Sequence, residues 1–442
     1  MPNSLTIQLV NQTTSPNIYA FITGLAIKQN NARVFVGLGP RGNDLYFPEA
    51  PPPGKLLQPL TRDCAIPLNP PGAPPVTVTI PQLAGARIWF SAEKKLTFLR
   101  NPGGPANTAA LVEPSVLNPT DLNTNTDFVF CEFTLNDAQL FANISYVDFV
   151  GRIPIGLTLK TKGGQVHHVS GMPADGLENV CAALREQSSK DGRPWDKLIV
   201  MERGGAPQRA LRALSPTHGN AVRAKFDGLF EPLVEKVWEK YYEGNVEEVV
   251  AASSDGETKH HHGLRGFLSG LTRSGHEESH HHGPGPAAPR QCLLRIDTQC
   301  GCGVVTGFVE KGSGDFVIGG ERFKRPTTAD ILGCNSGPFT TGPSPLRNAI
   351  IPRFAAAFQR SCILDVTDQP SPPDTFYRCE PTNHYCRIIH ECSLDGKGYA
   401  FAYDDVQPDG GRDQSGKVNA GDPDVFIVAV GGHGAYVGDR MP

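Results

Sequence analysis

The sequence predicts a mainly β chain of the α+β class, a β-barrel or sandwich domain combined with a mixed α/β domain. Three observations lead there. The 48 glycines and 39 prolines make up roughly a fifth of the 442 residues, against about 12% in an average protein, so turns are frequent. Short runs of β-branched and aromatic residues fill the first ~160 positions between those turns. Apolar residues at helical spacing appear only later in the chain.

Taken in order, strands are expected at 4–10, 18–26, 33–37, 75–80, 87–91, 95–99, 127–135 and 140–150, with APPPGKLL as a surface turn. The texture changes after residue 165. A helix is expected over 173–192, ending at Gly192. A second covers 221–244, where Phe226, Leu229, Phe230, Leu233, Val234, Val237, Trp238 and Tyr241 recur at i, i+3, i+4. Pro232 either kinks that helix or starts a new one. A third, over 346–361, is drawn from Leu346, Ile350, Ile351, Phe354 and Phe358. Further strands are expected at 293–296, 303–309, 315–318, 398–403 and 424–430. The simplest organisation builds a β domain from both ends, 1–165 and 365–442, with a mixed α/β domain over 166–364 inserted between them. A groove between the two is the default site.

Composition excludes some functions. A net charge of −4 leaves no basic footprint for nucleic acid or an anionic membrane. No run of ~18 apolar residues suggests a transmembrane helix, and MPNSLTIQLVNQ shows neither the basic nor the apolar region of a signal peptide. Eleven cysteines, eight of them after residue 290, hint at some disulfides, while the odd count leaves at least one thiol free. Asn11-Gln12-Thr13 fits a glycosylation sequon, and so does Asn143-Ile144-Ser145, although the latter falls in mid-strand.

No metal or cofactor site is expected. Seven of the 13 histidines lie within 256–289 among Gly, Ser and Pro, and a disordered surface insertion explains them better than a preorganised ligand set. His390-Glu391 lacks the second His of a zinc-protease helix, position 394 being Leu. There is no G-x-S-x-G.

The residues that call for chemistry lie in FCEFTLNDAQLFANISYVDFVG (130–151). Glu132 and Asp148 interrupt apolar runs, and an unpaired buried charge costs several kcal/mol, so each must be paired, protonated or open to a cleft. Strand alternation puts Phe128, Phe130, Glu132 and Thr134 on one face, and Tyr146, Asp148 and Val150 on one face. A hairpin around NDAQ would set the two carboxylates side by side or diagonally. The diagonal separation of ~7–8 Å falls in the ~6.5–9.5 Å range of inverting glycosidases; direct opposition would approach the ~5–5.5 Å of retaining ones. Both registers are open at this level. A purely structural role, each acid pairing with Arg152 or a lysine, is the bland alternative.

The stretch EFTLNDAQLFANISYVDFVG closely resembles the active-site segment of glycoside hydrolase family 64, the β-1,3-glucanases of the laminaripentaose-producing type. Further segments resemble the family in the same order: LVEPSVLNPTDLNTNTDFVFCEFT (111–134), LSPTHGN (214–220), ADILGCNSGPF (329–339), NHYCRIIHECSLDGKGYAFAYDDVQP (383–408) and DQSGKVN (413–419). The 256–289 insertion departs from it. The resemblance implies a thaumatin-like β-barrel domain and a mixed α/β domain flanking a wide groove. It implies β-1,3-glucan as substrate, Glu132 as general acid, Asp148 as general base and inversion. It also implies Thr134, Asn136 and Phe141 as sugar contacts. A working monomer, no cofactor and an extracellular destination are expected on the same ground.

Thaumatin-like proteins, distant relatives of that family, are the competing resemblance. They share the EFTL strand and a tail like YAFAYDD (399–405), and many bind β-1,3-glucan with little or no hydrolysis. This chain is about twice their usual length, does not reproduce their disulfide framework, and has Asn143 where their cleft would offer another acid.

Overall fold

The computed structural model describes residues 3–39, 44–204, 207–243, 292–299 and 301–432. The histidine-rich segment 256–289 lies outside these residues.

The described fold is mostly β-sheet with few helices. Its largest sheet runs Lys417–Ala420, Leu140–Ile144, Phe128–Leu135, Leu83–Ala92, Ile18–Ala26, Ala32–Gly37, Asp44–Tyr46, with Ile66–Pro67 also pairing with Ile18–Ala26. A second sheet runs Val166–Val169, Ile155–Thr161, Pro423–Val430, Ser4–Asn11, Val76–Pro81. Within it the late strand Pro423–Val430 lies parallel to Ser4–Asn11 and antiparallel to Ile155–Thr161. Alternation decides which faces meet. Cys131, Phe133 and Leu135 are buried while Glu132 and Thr134 are part-exposed, and the Phe133 ring lies 6.5 Å from that of Phe426 on the second sheet. The carboxylate face of the large sheet is therefore the one turned away from that core.

Two further sheets follow. One comprises Phe149–Gly151, Ala210–Leu214 and Ile199–Met201. The other runs Glu321–Phe323, Phe316–Ile318, Val304–Val309, Leu294–Asp297, Asp368–Gln369. The helices are Gly176–Asp191, Glu231–Lys240, Thr328–Gly333, Pro345–Gln359 and His384–Cys392 among the described residues. None is long and apolar enough to cross a membrane.

Several expectations are corrected. The run 140–150 is not one strand: pairing with Phe128–Leu135 ends at Ile144, Ser145 bridges to Tyr399, and the chain re-forms a strand only at Phe149–Gly151 in another sheet. The cause is the C-terminal segment, whose Tyr399 carbonyl takes the Tyr146 N–H at 2.7 Å. It passes that close because Gly398 has no side chain; a Cβ there would sit 3.0 Å from the Tyr146 ring. Residues 398–403 consequently give a single bridge at Tyr399 followed by a bend and turn rather than a strand. The 221–244 helix begins only at Glu231, with Pro232 in its first turn, where a missing N–H costs nothing. The strand expected at 95–99 forms at Leu99–Asn101.

Cys64, Cys131, Cys181, Cys334, Cys362 and Cys386 are buried thiols, not disulfide partners; burial pushes Cys131 up to about 12. Asn11 is buried, and its side chain donates to Ser15 O and accepts from Thr13 N and Oγ1. A carboxamide so occupied closes a turn.

The helix His384–Cys392 escaped the sequence reading. Asn383 caps it, Tyr385 donates from its hydroxyl to Tyr146 O at 2.7 Å, and His390 stands 3.1 Å from Asp404. Asp404 also meets the buried Arg360 at 3.1 Å, whose guanidinium donates to the Val406 and Asp404 carbonyls. Burial alone would raise the Asp404 carboxyl, but His390 and Arg360 outweigh it and hold it below its ordinary value. This triad fixes the turn that carries Tyr399 and Asp405. Removing one member of a buried ion pair strands the other. Arg360→Met is therefore expected to lower unfolding free energy by about 3–5 kcal/mol, read from denaturant melts.

Candidate active site

Glu132 lies in a polar row that crosses five strands in register. Lys417 is paired with Asn143, Asn143 with Glu132, Glu132 with Arg87, and Arg87 with Thr23. Such lateral neighbours on one face are close enough to interact directly. The Arg87 guanidinium places Nε and Nη2 each 3.0 Å from Glu132 Oε1 and Nη1 2.9 Å from Glu113 Oε2. It lies over Phe130 (4.6 Å to the ring centroid) and Trp89 (5.3 Å), an arrangement that favours a cation. Trp89 Nε1 donates to Thr23 Oγ1 at 3.1 Å, and Thr23 donates on to Glu113 Oε1 at 3.2 Å. Glu132 stays open to solvent, its side chain 36% exposed.

Asp148 arrives by another route. It is not a hairpin neighbour of Glu132, because the strand stops four residues earlier and Asn143 holds the opposed position. What brings it back is the next residue. The Phe149 ring packs 5.5 Å from Phe128 and 5.9 Å from Phe130, both on the Glu132 face. The Asp148 carbonyl then accepts the Ser215 N–H at 2.9 Å. Ser215 caps the 3-10 turn Pro216–Val222, which delivers His218 with Nε2 2.8 Å from Asp148 Oδ1. That hydrogen bond holds the Asp148 carboxyl below its ordinary range against the opposing effect of burial, and the charges of His218 and Arg87 add to it. The Asp148 side chain remains 40% exposed. Arg87 thus stands in direct contact with one carboxylate and within electrostatic reach of the other.

The candidate sugar contacts divide. Thr134 and Phe141 are direct cross-strand partners, two register positions along from Glu132–Asn143, and both part-exposed. Asn136 accepts the Ala138 and Gln139 N–H groups through Oδ1, so it builds the NDAQ turn and keeps only its Nδ2 for a ligand. Asn143 is buried at 7% exposure, which removes its sequon from solvent. Arg152, the bland partner for either carboxylate, is taken by Asp127 at 2.6 Å.

Arg87, Glu113 and His218 escaped the sequence reading as site residues. Each nonetheless had a trace. Arg87 is the charged member of the RIWFS strand, and Glu113 and His218 sit in LVEPSV and LSPTHGN. Nothing in one sequence says which strands are neighbours, so the pairing of Arg87 with Glu132 was not visible. Among the described residues, no three His, Cys, Asp or Glu side chains converge as metal ligands would.

The model of glycoside hydrolase family 64, described as β-1,3-glucanase, matches residues 3–261 and 290–430. The interruption falls in the histidine-rich segment. A glucan endo-1,3-beta-glucosidase of Cellulosimicrobium cellulans is 29% identical over 337 residues, 75% of this chain and 50% of that protein. One from Arthrobacter sp. (strain YCWD3) is 28% identical over the same extent. The chain therefore spans about half the length of the curated relatives it matches. A laminaripentaose-producing β-1,3-glucanase crystallised with laminaritetraose superposes with TM-score 0.73 at 25% identity, over 97% of this chain and 99% of that one. A β-1,3-glucanase domain from Clostridium beijerinckii shares the fold, with TM-score 0.65 at 20% identity over 97% and 98%.

The His218 contact has a direct readout. In His218→Asn the Asp148 carboxyl loses the group that most depresses it while burial persists, so its titration midpoint moves up. Carboxyl-carbon NMR should show that rise; an unchanged midpoint would mean His218 does not hold the charge.

Proposed function

The chain belongs to glycoside hydrolase family 64, the β-1,3-glucanases, and we propose that it hydrolyses internal β-1,3-glucosidic bonds of laminarin-type glucan. In this reading Glu132 protonates the leaving glycosidic oxygen while Asp148 takes a proton from the attacking water. One observation carries it: two part-exposed carboxylates, Glu132 paired with Arg87 and Asp148 hydrogen-bonded to His218, share the reach of the single Arg87 charge. A base held ionised beside an acid in a different environment is the asymmetry that acid–base catalysis needs. The solved relative that holds laminaritetraose supports glucan as the ligand.

Inversion belongs to the proposal. Direct opposition across a hairpin would set two carboxyls near the spacing of a retaining pair. Here Asn143 fills that position, and Asp148 approaches from beyond the strand end, which supports a wider gap with room for water. Thr134 offers a hydroxyl, Phe141 a ring face and Asn136 its Nδ2 to the sugar. The reading extends to a thaumatin-like barrel built from both chain ends, with an inserted domain across a wide groove. It also extends to a monomer acting outside the cell.

Glu132→Gln and Asp148→Asn should each cut the release of reducing ends from laminarin by about 10²–10⁴-fold while leaving glucan binding measurable. Unchanged release in both variants would sink the assignment. Binding without hydrolysis in the unaltered protein would favour a thaumatin-like glucan binder instead. Proton NMR of the first product should show the α-anomer; an initial β-anomer means retention.

A further inference from the structure

Resting on the assignment of Glu132 as the acid, we propose that Glu113 is a positioning residue of the catalytic acid, acting through the arginine they share. An acid must carry a proton to donate one, yet Glu132 lies in two contacts with a guanidinium, which favour the ionised form. Protonating Glu132 would leave that guanidinium on the Phe130 and Trp89 rings without a counter-charge. Glu113 removes this obstacle. It holds Nη1 at 2.9 Å, and its other oxygen is fixed by Thr23, itself fixed by Trp89. Arg87 thereby keeps a complete ion pair whichever state Glu132 is in. Two carboxylates on one cation carry a surplus negative charge, and a proton on Glu132 relieves it.

Other charged or titratable groups among the described residues also bear on this position. Tyr399, on the C-terminal turn, is half-buried, feels the Glu132 charge and donates its hydroxyl to Asp405 at 3.0 Å. Lys417, beyond Asn143 in the row, is 3.9 Å from Asp405. Asp148 interacts with Arg87 across the site. Tyr399 and Lys417 are turned to Asp405, so Glu113 is the carboxylate that shares direct contact with Arg87 alongside Glu132, while Asp148 acts on the same arginine from across the site.

The test is the pH dependence of laminarin hydrolysis. The alkaline limb of kcat/KM requires a protonated acid. In Glu113→Gln it should move to lower pH by about one unit or more, with the acid limb unmoved. Glu113→Asp, which restores the charge, should move it back. If Glu113 only braces the fold, the variant loses activity by the same factor at every pH, and that result overturns the proposal. An unmoved limb with full activity overturns it too. Thermal melts on both variants separate folding loss from the effect sought. The parent assignment is checked apart: activity surviving in Glu132→Gln rejects Glu132 as the acid, whereas an inactive Glu132→Gln with an unmoved Glu113→Gln limb rejects only the role of Glu113.

Discussion

The guanidinium of Arg87 is the contact on which the site depends. It occupies the middle of a register-matched row, with Glu132 on the adjacent strand and Thr23 on the other side. A planar donor with several N–H groups can serve two carboxylates at once, which a lysine ammonium does less specifically. Its underside is paved by Phe130 and Trp89, each two positions along from a partner in the row. The sheet register thus places the charges, and the aromatic paving sets how strongly they act.

Asp148 obeys a different constraint. It lies in a bend between two sheets, held by neighbours rather than by a ladder of its own. Phe149 seats on Phe128 and Phe130, and the buried Arg212 covers Phe128 and Phe149 at 4.8 and 5.7 Å. The Ser215–His218 turn closes on its backbone and its carboxyl, and Thr217 in that turn donates to Leu332 O at 3.0 Å. Segments far apart in sequence, LSPTHGN and ADILGCNSGPF, are coupled there. Their family-like character has this physical content: they hold one residue in place.

Much of the fold was legible because strand alternation is local. Ser4–Asn11, Ile18–Ala26, Phe128–Leu135 and Pro423–Val430 fall where alternating or continuous apolar runs suggested them. The errors share a cause. The 140–150 strand breaks, and 398–403 fails to form one, because these two segments pair with each other instead of extending their own ladders. His384–Cys392 was missed because, although its buried face is strongly one-sided, at nine residues it is shorter than the window over which helical spacing is read. Its helix is fixed by the Asn383 cap and by Tyr385 anchoring on Tyr146. The cysteine count suggested bridges because counting cannot see burial.

By itself the sequence determined the β-rich class, the family, and the candidacy of Glu132 and Asp148, since a carboxylate amid apolar residues is anomalous whatever surrounds it. It also determined which face Glu132 and Thr134 share, because alternation is a property of the chain. Only the tertiary structure decided which partner meets which acid. Arg87 and Glu132 are 45 residues apart, and His218 and Asp148 are 70 apart. Strand order and the seating of Phe149 are long-range outcomes, and the charge balance of a site is the sum of contacts made at that range.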